Sequence, residues 1–106
     1  MLPMRIALIG AEGQLGRTLQ RQLGAQLVPL RHGDIELTDA MHVEKAIAAA
    51  NPDLVINAAA YNQVDRAEDE PEVAFAVNAL GPRNLAIVCR DRDIPLLHVS
   101  TDYVFS

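Results

Sequence analysis

Arg5-Ile6-Ala7-Leu8-Ile9-Gly10-Ala11-Glu12-Gly13-Gln14-Leu15-Gly16 is the stretch whose reading decides the fold. Its nearly unbroken apolar run stops at Gly10, as expected of a short strand buried on both faces. Leu15, Leu19 and Leu23 then recur at every fourth position and end at Gly24, the pattern of a helix with a glycine stop. A strand, a glycine-rich turn and a helix in this order suit a pyrophosphate. Gly10 permits the tight turn, Gly13 lets phosphates approach the backbone, and Gly16 lets the helix pack closely. The N–H groups of the first helical turn then face the anion. Glu12 is expected to turn its carboxylate to solvent. A glycine turn without a ligand is the plainer alternative, but strand, spacing and helix agree, which favours nucleotide binding.

The same alternation runs outward along the chain. Gln26 to Leu30 reads as a second strand, which Pro29 confines to an edge or a strand end. Thr38 or Asp39 can cap a helix with Val43, Ile47 and Ala50 on its apolar face, closed by Asn51-Pro52. Leu54 to Asn57 is a third strand. A long helix follows from about Pro71, carrying Val73, Val77, Leu80, Leu85 and Val88, and Gly81-Pro82 predicts a kink or a restart within it. Ile94 to Ser100 is a fourth strand. The order β-α-β-α-β-α-β predicts an α/β fold, a parallel sheet with helices on both faces and ligands at the carboxyl ends of the strands.

Each strand end offers candidate chemistry. Arg31 follows the second strand, where a guanidinium can pair with a ribose 2′-phosphate, so NADPH is favoured over NADH. In the alternative, Arg31 is a solvated residue and Asp34 reaches back to the ribose. Asn57-Ala58-Ala59-Ala60-Tyr61-Asn62 follows the third strand, and its three alanines suit either a flat ligand or tight helix packing. Glu68, Asp69, Glu70 and Glu72 read as a solvated helix start, whereas Asp65 and Arg66 are set apart from it as lying close to the strand-end crevice. Ser100-Thr101-Asp102-Tyr103-Val104-Phe105 follows the fourth strand. A hydroxyl there can hydrogen-bond a substrate carbonyl, or merely cap the strand.

Composition narrows the function classes. The 106 residues are 50% hydrophobic with a mean hydropathy of +0.09, enough apolar material for one aliphatic core. No apolar run approaches the ~20 residues of a membrane-spanning helix, and Met1 to Arg5 is not a signal peptide, so a cytoplasmic address is the default expectation. Cys89 is the single cysteine, which excludes an internal disulfide, and no Cys/His cluster has metal-ligand spacing. A net charge of −5 and the lack of a basic, aromatic-rich stripe argue against nucleic acid.

Taken together, the strand-end segments resemble the dTDP-4-dehydrorhamnose reductase family of extended short-chain dehydrogenase/reductases, over essentially the whole chain. The blocks that carry the resemblance are Ile9 to Gly16, Asn57 to Tyr61, Val64 to Glu68, Glu70 to Glu72, Val77 to Pro82 and Ser100 to Phe105. The resemblance implies a Rossmann-type sheet and NAD(P)H-dependent reduction of the C4 keto group of dTDP-6-deoxy-L-lyxo-4-hexulose to dTDP-L-rhamnose. By position, Gly13, Gln14 and Leu15 would meet the pyrophosphate, and Glu36 and Leu37 would lie near the adenine. Ala60, Tyr61 and Asn62 would line the cofactor, and Asn78 would approach the nicotinamide ribose. Thr101 and Asp102 would meet the sugar, with Thr101 the hydroxyl member of the family's Ser/Thr-Tyr-Lys catalytic set. A homodimer is left open.

The family's proton donor, a tyrosine followed four residues later by a lysine, is missing. Tyr61 has Asp65 at that offset, and the one lysine, Lys45, belongs to the second helix. Residues 1–106 are therefore expected to be the cofactor-binding, N-terminal portion of a longer fold, inactive alone. The rival expectations are a sugar-nucleotide epimerase or dehydratase on the same fold, and a non-catalytic dinucleotide-binding regulatory subunit.

Overall fold

Ile6 and Leu8 pack into one apolar layer and Ala7 and Ile9 into another, so β1 (Ile6–Ile9) is buried on both faces. The computed structural model describes residues 4–31, 33–59 and 71–99, with the backbone alone over 71–79. Around β1 stand β2 (Leu27–Leu30), β3 (Leu54–Asn57) and β4 (Leu96–His98), in the spatial order β2-β1-β3-β4 with every pair parallel. Pro29 lies exposed on β2, an edge strand where its missing N–H costs no ladder bond.

Helix α1 (Gln14–Leu23) sets Leu15, Leu19 and Leu23 against Ile6, Leu8 and Ile56 on one face of the sheet. Helices α2 (Ala40–Ala50) and α3 (Pro71–Asp91) cover the other face, where Val43, Ile47, Leu85, Val88 and Cys89 meet Ala7, Ile9 and Val55. The expected α/β architecture with helices on both faces is thus present. Asp39 supplies the cap of α2, its carboxylate accepting from the N–H groups of Met41 (3.0 Å) and His42 (3.3 Å). Asn51, in the left-handed conformation (φ 47°), closes that helix.

Two boundaries differ from expectation. Gln26 belongs to a 3₁₀ turn, Gly24–Gln26, that delays β2 by one residue. β4 leaves out Ile94, Pro95 and Val99 of the expected stretch, whose last residue, Ser100, lies outside the described residues. Of the kink or restart expected at Gly81-Pro82, the restart is absent: α3 runs through Pro82 as one helix. The proline removes one main-chain donor, but Leu85, Val88 and Cys89 are seated in the core just beyond it and hold that half in place.

Ile47 has no exposed surface whereas Met41, on the same helix, is 70% exposed. Ile47→Ala should lower the unfolding free energy by about 2–5 kcal/mol in urea titrations. Met41→Ala should stay within about 0.5 kcal/mol. Similar losses for the two would contradict this packing.

Candidate functional site

Strand order reverses between β1 and β3, their connections leaving in opposite directions, so a crevice opens at their carboxyl ends. The rim of that crevice is tied across the strand ends. The Gly10 N–H donates to the Leu30 carbonyl (3.3 Å), the Ala58 N–H to that of Ile9 (2.9 Å) and the Val99 N–H to that of Asn57 (3.0 Å).

The glycine turn sits at the centre of this rim. Gly10 has φ +80°, a region that side chains resist. A Cβ on Gly16 would lie 2.5 Å from the Gly10 carbonyl oxygen, so only glycine lets α1 start against the turn. The glycine therefore serves packing of helix on turn. Gly13 precedes α1 in an extended conformation and offers no side-chain cap, and the first turn holds no acidic residue. Among the described residues, the N–H groups of Gln14, Leu15 and Gly16 have no acceptor. Glu12 is exposed, as expected. Gln20, whose role the sequence does not betray, reaches back from α1 and donates to the carbonyls of Ala11 (2.9 Å) and Gly16 (3.2 Å).

Beyond β2, the exposed Arg31 has no carboxylate partner among the described residues. Asp34 instead folds back on its own turn, accepting from the Arg31 N–H at 2.9 Å while its N–H donates to the Arg31 carbonyl. The Glu36 carboxylate accepts from the Thr38 hydroxyl (2.9 Å), and the Glu36 N–H donates to His42 Nδ1 (2.8 Å). Leu37 is buried in the core, with its carbonyl accepting from Asn84 Nδ2 at 2.8 Å.

Beyond β3, Ala58 and Ala59 are buried, and Asn57, 2% exposed, is the buried polar residue of the described core. Its Oδ1 accepts from the Ala59 N–H (3.0 Å), and its Nδ2 faces His98 Nδ1 at 3.2 Å. Because an N–H can only donate, the Ala59 bond fixes the amide orientation. His98 Nδ1 is then an acceptor, and the neutral ring carries its proton on Nε2. Partial desolvation of the ring also lowers the His98 pKa from its ordinary value, which favours that neutral form.

The structure thus brings Gly10, Gly13, Gln14, Leu15, Gly16 and Arg31 to one rim, with Glu36 and Leu37 in the next turn. Asn78 lies in α3, described by its backbone alone. Ala60, Tyr61, Asn62, Thr101 and Asp102 lie outside the described residues. No group of metal-binding side chains occurs among the described residues, and no helix there is long and apolar enough to cross a membrane.

A parallel sheet, a glycine turn at its reversal point and an uncapped helix N-terminus define a Rossmann-type fold. Residues 4–106 match the family described as RmlD substrate binding domain, and the chain belongs to that family. It is 48% identical to the dTDP-4-dehydrorhamnose reductase of Mycolicibacterium smegmatis, over 99% of this chain and 32% of that protein. It superposes on the dTDP-4-dehydrorhamnose reductase of Bacillus anthracis, solved in complex with NADP, with a TM-score of 0.84. The identity there is 34%, over 98% of this chain and 38% of the other. The Clostridium acetobutylicum orthologue gives a TM-score of 0.82 at 38% identity, over 95% and 37%. The chain spans about a third of the length of these relatives.

The lowered His98 pKa sets the sign of a pH effect. The unfolded chain takes up this proton near the ordinary value of about 6.5 and the folded chain only at lower pH. The contribution to stability is therefore present above that value and lost as pH falls through the folded value. The thermal midpoint should fall between about pH 7.5 and 5.5 and fall less in His98→Gln, which keeps an acceptor without titrating. Equal falls in both proteins would remove His98 as the cause.

Proposed function

We propose that this chain is the cofactor-binding part of a dTDP-4-dehydrorhamnose reductase, with residues 1–106 forming an NAD(P)-binding domain. The observation that carries the reading is the α1 N-terminus, with three N–H groups lacking acceptors among the described residues beside a turn that Gly16 alone can accommodate. That cradle fits a pyrophosphate, and a related structure with the same fold holds NADP.

In this reading Gly10, Gly13 and Gly16 shape the cradle, and the N–H groups of Gln14, Leu15 and Gly16 bind the phosphates. Arg31 pairs with the 2′-phosphate, which favours NADPH over NADH, and the turn of Glu36 and Leu37 carries the adenosine end. Ala60, Tyr61, Asn62 and Asn78 take the cofactor contacts that the family resemblance assigns to them, and Thr101 and Asp102 meet the dTDP sugar. The bound dinucleotide supplies a hydride to C4 of the keto sugar. Thr101 donates a hydrogen bond to the carbonyl oxygen as charge develops on it. A proton must then reach that oxygen, and this sequence holds no Tyr-x-x-x-Lys pair to deliver it. The same reading implies a cytoplasmic protein whose partners are small molecules rather than nucleic acid.

Two measurements test the proposal. In calorimetric titrations Arg31→Ala should weaken NADPH binding roughly ten- to a hundredfold, the range of a charge-assisted hydrogen bond. NADH binding should hardly change, and equal losses for the two cofactors would rule out recognition of the 2′-phosphate. The purified chain should bind NADPH without oxidising it when the keto sugar nucleotide is added, and turnover would contradict the assignment of the proton donor to another part of the protein.

A further inference from the structure

The connection from Arg31 to Asp39 carries the proposed adenosine contacts, and its exposed residues alternate with two that are buried, Ile35 and Leu37. Its first end is fixed to the glycine turn through the Gly10 N–H and the Leu30 carbonyl, and its last residue is the cap of α2. Between those ends its hydrogen bonds are mostly internal: Arg31 with Asp34 and Ile35, and Glu36 with Thr38 and Asp39. Glu36 also reaches His42 of α2. Bonds of this kind fix the shape of the turn but not its seat on the sheet.

Beyond the burial of Ile35 and Leu37 and the contact with His42, α3 fixes that seat. Asn84 Nδ2 donates to the Leu37 carbonyl at 2.8 Å across 47 residues of sequence. Gly81, three residues earlier and so on the same side of the helix, leaves room for the Leu37 side chain. A Cβ at position 81 would come within 3.2 Å of Leu37 Cβ. Two consecutive turns of one helix thus grip a single residue, one by shape and one by a hydrogen bond.

We propose that Asn84 is a positioning residue for the adenosine end of the dinucleotide, a role that rests on the cofactor-binding reading above. It acts through the main chain of Leu37 rather than on the ligand itself. It holds Leu37, and with it the turn whose first residue, Arg31, faces the 2′-phosphate. Removing the amide leaves a part-buried carbonyl without its donor, and the turn regains freedom that ligand binding must then remove.

The test uses two ligands, NADPH and its fragment 2′,5′-ADP, titrated into the full chain and into Asn84→Ala and Asn84→Asp. Losing one hydrogen bond predicts a rise in Kd of about three- to tenfold for Asn84→Ala. The factor should be the same for both ligands, because the whole effect lies at the adenosine end. Asn84→Asp keeps the size of the side chain but sets a carboxylate against the carbonyl, so it should weaken both at least as much. A residue that merely stabilises the fold would lower the thermal midpoint and leave both dissociation constants unchanged. Unchanged constants in either folded variant, or a loss confined to NADPH, would overturn the proposal while leaving the cofactor reading intact. A native chain that binds neither ligand would overturn both.

Discussion

A single missing methyl group organises this end of the molecule. A Cβ on residue 16 would meet the Gly10 oxygen at 2.5 Å and the Ala11 Cα and oxygen at 2.7 Å, all main-chain atoms that cannot step aside. Glycine at that position lets α1 begin against the turn after β1. From this contact follows the direction of α1, whose Leu15, Leu19 and Leu23 then cover the face formed by Ile6 and Leu8. The placement of its uncapped N-terminus at the reversal of strand order follows as well. The attraction of a helix terminus for an anion is modest in itself, about 0.3–1 kcal/mol in an exposed setting. Its value here is geometric, since several N–H groups converge on a place where the main chain can be approached.

Three side-chain amides complete the frame. Gln20 holds the Ala11 carbonyl, Asn57 holds the Ala59 N–H, and Asn84 holds the Leu37 carbonyl. Each stands on a helix or strand and secures one of the three connections that border the crevice. Loops that carry ligand contacts must be ordered before binding if affinity is not to be spent on ordering them. A carboxamide suits the task because it can donate or accept without a charge to desolvate.

The parts of the fold legible in the sequence are those set by local pattern. The run Ile6–Ile9, the four-residue recurrence of Leu15, Leu19 and Leu23, and the Asp39 and Asn51 boundaries of α2 each depend on residues within one turn or strand. Expectation and structure part where tertiary packing decides: Gln26 falls to a 3₁₀ turn before β2, and β4 is short. The site divides in the same way. The glycine spacing and Arg31 announce themselves, because their residue types are unusual where they stand. Asn57 left a faint signal as a polar residue ending an apolar strand, since a buried amide needs partners. Gln20 and Asn84 left none, because their partners are main-chain carbonyls, which no residue type marks. Asp34 shows the converse case, a carboxylate well placed for a ribose in sequence that closes its own turn in the structure.

The central claim is that the α1 N-terminus and the turn before it hold the pyrophosphate of a dinucleotide. It is tested most directly by amide NMR of the isotopically labelled chain titrated with NADP. The account predicts that the largest shift changes fall on the amides of residues 10–16, with a second set from Arg31 to Leu37, both saturating with one dissociation constant. Changes centred elsewhere, for instance in the groove between α2 and α3 lined by Met41 and Ile87, would contradict it, as would a spectrum that NADP leaves unchanged.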